Sequence, residues 1–149
     1  MRIYTLSNII TSFTGPKTLV EIGALTDTLV KIRAIKVTQS TSETDDSSRI
    51  EWGVYSASGT GTNIVANVEV NDPGDAAFGG TAEDNHTADI STGEVIKGRE
   101  GISVLAGVDK IYQPESRLSI PGGSFFGVQL RDAISSVTLV YEIEFSEEG

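Results

Sequence analysis

The chain contains one histidine, His86, and no cysteine, so few of its residues could act as a catalytic base or nucleophile. Nucleophilic catalysis by a triad needs the histidine beside a serine and a carboxylate. His86 lies in the polar stretch "AEDNHTAD", where Asp84 and Asp89 read as ordinary loop polarity. One histidine and no cysteine also exclude the usual zinc ligand sets. We therefore expect no enzyme, no catalytic residue and no bound cofactor.

Calcium is the better metal candidate, because oxygen ligands alone can bind it. None of the acidic clusters follows the spacing of an EF-hand loop. "DPGD" at residues 72–75 reads as a β-turn instead. The sequence favours solvated loops, with Ca²⁺ as the alternative, at three acidic clusters: Glu43, Asp45 and Asp46; Asp72 and Asp75; and Glu83, Asp84 and Asp89.

Aromatic side chains in loops are the other candidates for recognition. Tyr112, in "DKIYQPESR", has a loop-like setting that suits stacking on a sugar ring. Phe78 lies among small residues in "DPGDAAFGGTAE" and packs either under its own loop or against a partner. Trp52 is in phase with Ile50 and Val54, so it is expected in the core.

The elements that position these residues are predicted to be strands. In "SSVTLVYEIEF" apolar and polar side chains alternate with a period of two, which is typical of a half-buried strand. In "LVKIRAIKVTQ" the alternation slips by one residue, which predicts a β-bulge near Ala34. The "GTGT" at 59–62 is expected to be a hairpin turn, and 71–94 reads mainly as an extended loop. Comparable runs predict about eight strands, at 3–13, 18–22, 29–39, 50–55, 64–70, 94–105, 125–130 and 137–145.

Eight short strands without a helical stripe predict an all-β fold. We expect one domain, residues 1–149, folded as a jelly-roll-like antiparallel β-sandwich, with an immunoglobulin-like sandwich as the alternative. The alternation begins at once in "MRIYT". Residues 1–5, with Ile3 and Tyr4, are therefore expected to form an edge strand or an arm that pairs with a neighbour.

The charge of the chain limits its partners. Its 21 acidic and 11 basic residues give a formal net charge of −10. This balance argues against binding nucleic acid through its phosphates and favours solubility or docking on a basic or mixed surface. No apolar run approaches the ~18 residues of a membrane-spanning helix, and "MRIYTLSNII" does not read as a signal peptide. We expect neither nucleic acid nor a membrane as partner.

Four segments in a fixed order carry a resemblance that covers about residues 19–148. They are "KIRAIKVTQSTSETDDSSRIEWGVY", "NDPGDAAFGGTAEDN", "REGISVLAGVDKIYQPESRLSIPGGSFFGVQL" and the acidic final strand "VTLVYEIEFSEE". In these segments the chain resembles the small, acidic, all-β decoration (cement) proteins of tailed-bacteriophage heads. The shared features are patterns of strands and turns, and no functional residue is carried over.

The resemblance implies a jelly-roll protein that is made in the host cytoplasm and assembles as a trimer on the outer capsid surface of the virion. There it would bridge neighbouring major capsid subunits and stabilise the shell. One alternative is a virion-surface module that recognises a glycan or receptor through Tyr112 and loop acids. Another, ranked last, is an enzyme that uses two carboxylates. The expected partner-interface residues are Ile3, Tyr4, Glu43, Asp45, Asp46, Phe78 and Tyr112.

Overall fold

In the computed structural model, the protein is built almost entirely of strands. The structure describes residues 1–40, 48–89, 93–103, 107–134 and 136–149. The helical segments within these ranges are two 3-10 turns, Val65–Asn67 and Pro114–Ser116, and no helix here is long enough to cross a membrane. The predicted all-β fold is confirmed, with twelve strands instead of eight: β1 (Arg2–Phe13), β2 (Lys17–Gly23), β3 (Leu29–Gln39), β4 (Ser48–Tyr55), β5 (Thr62–Asn63), β6 (Val68–Val70), β7 (Thr81–Asp84), β8 (Val95–Ile102), β9 (Val108–Ile111), β10 (Leu118–Ile120), β11 (Phe125–Leu130) and β12 (Val137–Glu148).

The strands form two six-stranded antiparallel sheets that make a sandwich. Sheet A has the order β10-β3-β12-β1-β6, with β9 also paired to β3, and sheet B has the order β5-β7-β2-β11-β4-β8. Early strands pair with late ones in reverse order: β1 with β12, β2 with β11, β3 with β9 and β10, and β4 with β8. This reversed pairing across two sheets is the predicted jelly-roll arrangement.

The two sheets differ in how their outer faces are covered. In β12, the buried residues Leu139, Tyr141 and Ile143 alternate with the exposed residues Val140 and Glu142. Such alternation means that one face of sheet A meets the core and the other faces water. In β2 and β11 nearly every residue is buried, which indicates strands covered on both faces. Sheet A therefore has an open outer face, whereas the outer face of sheet B is covered at its central strands β2 and β11 and exposed at its edge strands β5 and β8.

Apolar side chains from both sheets form one continuous core. Leu6, Ile35 and Ile143 enter it from sheet A, and Val20 and Phe126 enter it from sheet B. All of these side chains are fully buried. Because successive side chains of a strand point to opposite faces, the period of two in the sequence selects these residues for the core.

The β-bulge predicted near Ala34 is confirmed. Glu144 of β12 pairs with Ala34, but the next residue, Phe145, pairs with Ile32, so Arg33 is an extra residue on β3. The bulge lets the Arg33 guanidinium reach a Glu144 carboxylate oxygen at 2.8 Å.

Two local predictions are wrong, and two others hold only in part. β1 is not an edge strand, because it lies between β12 and β6. The turn at 59–62 does not close a hairpin, because three strands of sheet B separate β4 from β5. The region 71–94 contains β7, which pairs with β2. The predicted strand at 64–70 contains a 3-10 turn before the three residues of β6.

Candidate functional site

Ile3 and Tyr4, expected on an arm that meets a partner, lie inside sheet A. The Ile3 carbonyl accepts a hydrogen bond from the backbone N–H of Asn71 at 2.9 Å. Tyr4 is fully buried, and its hydroxyl donates a hydrogen bond to the Ala76 carbonyl at 3.0 Å. This segment is already paired within the chain, so the expectation of a free arm is corrected.

Phe78 packs under its own loop, which was one of its two expected placements. It is 8% exposed and belongs to the core. Its ring lies 5.4 Å from that of Tyr4 and 5.0 Å from that of Phe145, the latter edge-on. Phe78 therefore anchors the long connection before β7 to sheet A, and it is not an exposed contact for a partner.

Tyr112, the candidate for sugar stacking, is half-buried. Its hydroxyl accepts a hydrogen bond from the indole N–H of Trp52 at 2.8 Å. The ammonium group of Lys110 lies over its ring, 5.1 Å from the centroid. Tyr112 thus closes the core over Trp52, whose predicted burial is confirmed at 2% exposure.

The acidic clusters proposed for calcium do not assemble into one site among the described residues. Glu43, Asp45 and Asp46 lie outside those residues. Asp72 and Asp75 form the expected exposed turn, closed by a backbone hydrogen bond of 3.1 Å. The third cluster separates, because its members take different partners: Glu83 lies near His86, Asp84 accepts hydrogen bonds from Asn8 and Tyr141, and Asp89 lies near Arg131.

The open outer face of sheet A carries both apolar and charged side chains. Strand register places Ile9 beside Val140, and Ile9 is 61% and Val140 37% exposed. A shallow depression of about 280 Å³ lies around these two residues. The next row across the face carries Ser7 and three side chains of both charge signs, Glu142, Lys36 and Asp109.

A charge network centred on the buried Glu51 occupies one part of the outer face of sheet B. Glu51 contacts the guanidinium groups of Arg49 and Arg99 at 3.1 and 3.2 Å, and it lies 3.8 Å from that of Arg131. Arg131 also pairs with Glu94 and lies 3.5 Å from Asp89. Burial raises the pKa of the Asp89 carboxyl, although Arg131 opposes this rise. Because its charges are paired, we interpret the network as a structural device that fixes the loop after β7.

A second polar cluster on sheet B joins Glu21, Glu83 and His86. Glu21 and Glu83 are directly opposite on β2 and β7. Each side chain offers one ligand atom, a carboxylate oxygen or an imidazole nitrogen, and these three atoms lie within 4.8 Å of one another. The His86 Nε2 atom is 3.6 Å from a carboxylate oxygen of Glu83. Among the described residues this is the group of acids and histidine that could hold a metal ion.

Two hydrogen bonds hold the Glu21 carboxylate in place. The Ser58 hydroxyl donates to one carboxylate oxygen of Glu21 at 2.6 Å, and the Gly59 N–H donates to the other at 3.2 Å. Burial raises the pKa of Glu21, whereas these two hydrogen bonds lower it. Burial lowers the pKa of the His86 imidazole, with Asp84 opposing the shift, so the ring is neutral at pH 7.

Sequence reasoning did not find this cluster, for two reasons. Glu21 is the one charged residue within the strand predicted at 18–22, and its partner strand β7 was not predicted. His86 was expected in a solvated loop, but it is fully buried. Asn85 adopts a positive φ of 48°, which breaks the alternation after β7 and brings His86 to the side of Glu83. A charged residue inside an otherwise buried strand was the available signal.

No family model, curated protein or solved structure matches the chain.

Proposed function

We propose that the protein decorates the outer surface of a tailed-phage head, where it bridges major capsid subunits and stabilises the shell as a trimer. The open outer face of sheet A is the observation that supports this proposal most. On this face, Ile9 and Val140 lie side by side and exposed. The central strands β2 and β11 of sheet B are buried on both faces, whereas the outer face of sheet A is uncovered, which is typical of a surface that meets a partner.

The open face is large enough for a standard protein–protein interface. Its three long strands, β1, β3 and β12, contain 12, 11 and 12 residues. At about 3.3 Å per residue they are roughly 35–40 Å long, and with the short flanking strands the face is roughly 20 Å wide. The resulting flat area of about 700–800 Å² is close to the ~800 Å² per partner that a standard interface buries.

A decoration protein of this kind acts through binding alone. A protein that binds the assembled shell, and not its separated subunits, shifts the assembly equilibrium by its binding free energy. Many copies on one shell add their contributions. The net charge of −10 keeps free copies apart in solution and disfavours association with DNA.

A glycan- or receptor-binding module is less well supported by the side chains. That alternative relied on Tyr112 as an exposed platform for a sugar ring. Its hydroxyl is engaged by Trp52 and its ring is covered by Lys110. An exposed aromatic platform of the kind that sugars stack on is therefore not offered by this residue.

Shells that lack the protein provide the test. Wild-type protein should cosediment with them, raise their melting temperature and have the mass of three chains in light scattering. Val140→Lys should weaken shell binding by about tenfold or more, because it puts an unpaired charge into the centre of the interface. The matched control is Val95→Lys, since Val95 is 52% exposed on β8 at the edge of sheet B.

The control defines which result contradicts the proposal. Val95→Lys should bind shells as the wild type does. If both variants lost the same amount of shell binding, the loss would come from the added charge and not from a change on the open face of sheet A. A monomer that neither sediments with shells nor stabilises them would refute the proposed function altogether.

A further inference from the structure

Glu21 and Glu83 form an unfavourable pair of like charges. They are directly opposite on the antiparallel strands β2 and β7, where like charges destabilise a sheet. Glu21 is only 1% exposed, so water does little to screen its charge. A cation between the two carboxylates would turn this repulsion into attraction.

His86 supplies an independent indication that the cluster takes a ligand. Its side chain is fully buried beside these two carboxylates. Both ring nitrogens lack a hydrogen-bond partner among the described residues, as does one carboxylate oxygen of Glu83. Burying polar atoms without partners is costly, and native proteins avoid it unless something else satisfies them.

We infer that Glu21, Glu83 and His86 bind one divalent transition-metal ion, with Zn²⁺ as the reference ion. Two carboxylates and a neutral imidazole are ligands that Zn²⁺ takes at about 2.0–2.2 Å. Two ligand atoms of a tetrahedral site with these bond lengths are about 3.3–3.6 Å apart, and the His86 Nε2 atom and the Glu83 carboxylate oxygen are 3.6 Å apart. The three ligand atoms lie within 4.8 Å of one another, so small side-chain movements would bring all of them to these distances.

The surroundings of the cluster suit a structural metal site. The Ser58 and Gly59 donors orient the Glu21 carboxylate, as outer-shell hydrogen bonds do for metal ligands. Gly61 lies directly against the imidazole, where an added Cβ would clash with Cδ2 and Nε2. The ion would link β2, β7 and the residues after β7. Because this site is on sheet B, it is independent of the open face of sheet A.

The choice of ion class follows from the ligands. An imidazole ligand favours Zn²⁺ and related transition metals over Mg²⁺ and Ca²⁺, which prefer oxygen alone. The chain has no cysteine and one histidine. No thiolate competes for the ion, and any imidazole signal that responds to it belongs to His86.

The test is a titration of the purified, metal-free protein with Zn²⁺, followed by NMR of the ¹⁵N-labelled imidazole. We expect one ion per chain and a large shift of one ring nitrogen of His86 that is complete at equimolar Zn²⁺. Glu83→Gln should weaken Zn²⁺ binding by more than about 100-fold, because the loss of outer-shell partners alone costs about 10- to 100-fold. The matched control is Glu69→Gln, an identical change at an exposed position on β6.

Each result of the titration decides for or against the site. Glu83→Gln removes one carboxylate of a repelling pair, so without metal the variant should be at least as stable as the wild type. A folded variant with weakened Zn²⁺ binding supports the site. Any of three results would overturn it. The imidazole signal could stay unchanged when Zn²⁺ is added, Glu83→Gln and Glu69→Gln could bind Zn²⁺ with equal affinity, or the wild type could bind Ca²⁺ as tightly as Zn²⁺.

Discussion

Replacing Phe78 with alanine tests whether this loop residue belongs to the core of the protein. A buried phenylalanine removes about 150–250 Å² from water, which at ~25 cal/mol per Å² is worth roughly 4–6 kcal/mol. The alanine that remains and the compactness of the unfolded chain reduce this value. Core Phe→Ala substitutions cost about 3–5 kcal/mol. We expect a loss in this range, because Phe78 is 8% exposed and contacts two aromatic rings.

Urea unfolding monitored by the fluorescence of the single tryptophan, Trp52, measures this loss. Phe78→Leu is the matched control, since it keeps most of the apolar volume and should cost about 1.5 kcal/mol or less. A loss below about 1 kcal/mol for Phe78→Ala in a folded protein would refute the reasoning. Phe78 would then be better explained as a side chain that contacts a partner than as part of the core.

Two further predictions concern a glycine and the histidine. Gly98→Ala should cost about 1–3 kcal/mol by overpacking and change the tryptophan fluorescence, because an added Cβ would meet the Trp52 ring. Gly101→Ala, in open space on the same strand, should be neutral or stabilising; equal urea midpoints for the two variants would contradict the packing described. Burial lowers the pKa of His86, so below about pH 6.5 the unfolded chain binds a proton that the folded chain does not. The free energy of unfolding in EDTA should therefore be largest above about pH 6.5 and fall as the pH decreases towards the lower folded pKa. His86→Gln should lack this fall between pH 7.5 and 5.5, and parallel profiles for the two proteins would exclude the histidine as its source.

The strands that the sequence predicted well are those in which one face meets the core. In β12, the alternation of Leu139, Tyr141 and Ile143 with polar neighbours is visible in one segment alone, and the structure has the same alternation in burial. The bulge at Arg33 was also predictable, because a slip in alternation is a local signal. The pairing of β1 with β12 brings together opposite ends of the sequence, and alternation does not specify neighbours.

The short strands and the polar clusters could not be predicted in the same way. β5 and β7, with two and four residues, become strands because they extend sheet B beside β2. His86 looked solvated because its neighbours in the sequence are polar. It is buried because distant residues, Glu21 and Gly61, lie against it. Burial of this kind depends on tertiary contacts and leaves no local pattern.

The central claim is that the open face of sheet A docks on an assembled phage shell. A cryo-EM map of shells incubated with the protein tests this claim most directly. We predict three copies around a three-fold position, with β1, β3 and β12 turned towards the capsid subunits and Val140 within the contact. Density in which the loops of sheet B meet the shell, or shells without added density at saturating protein, would contradict the claim.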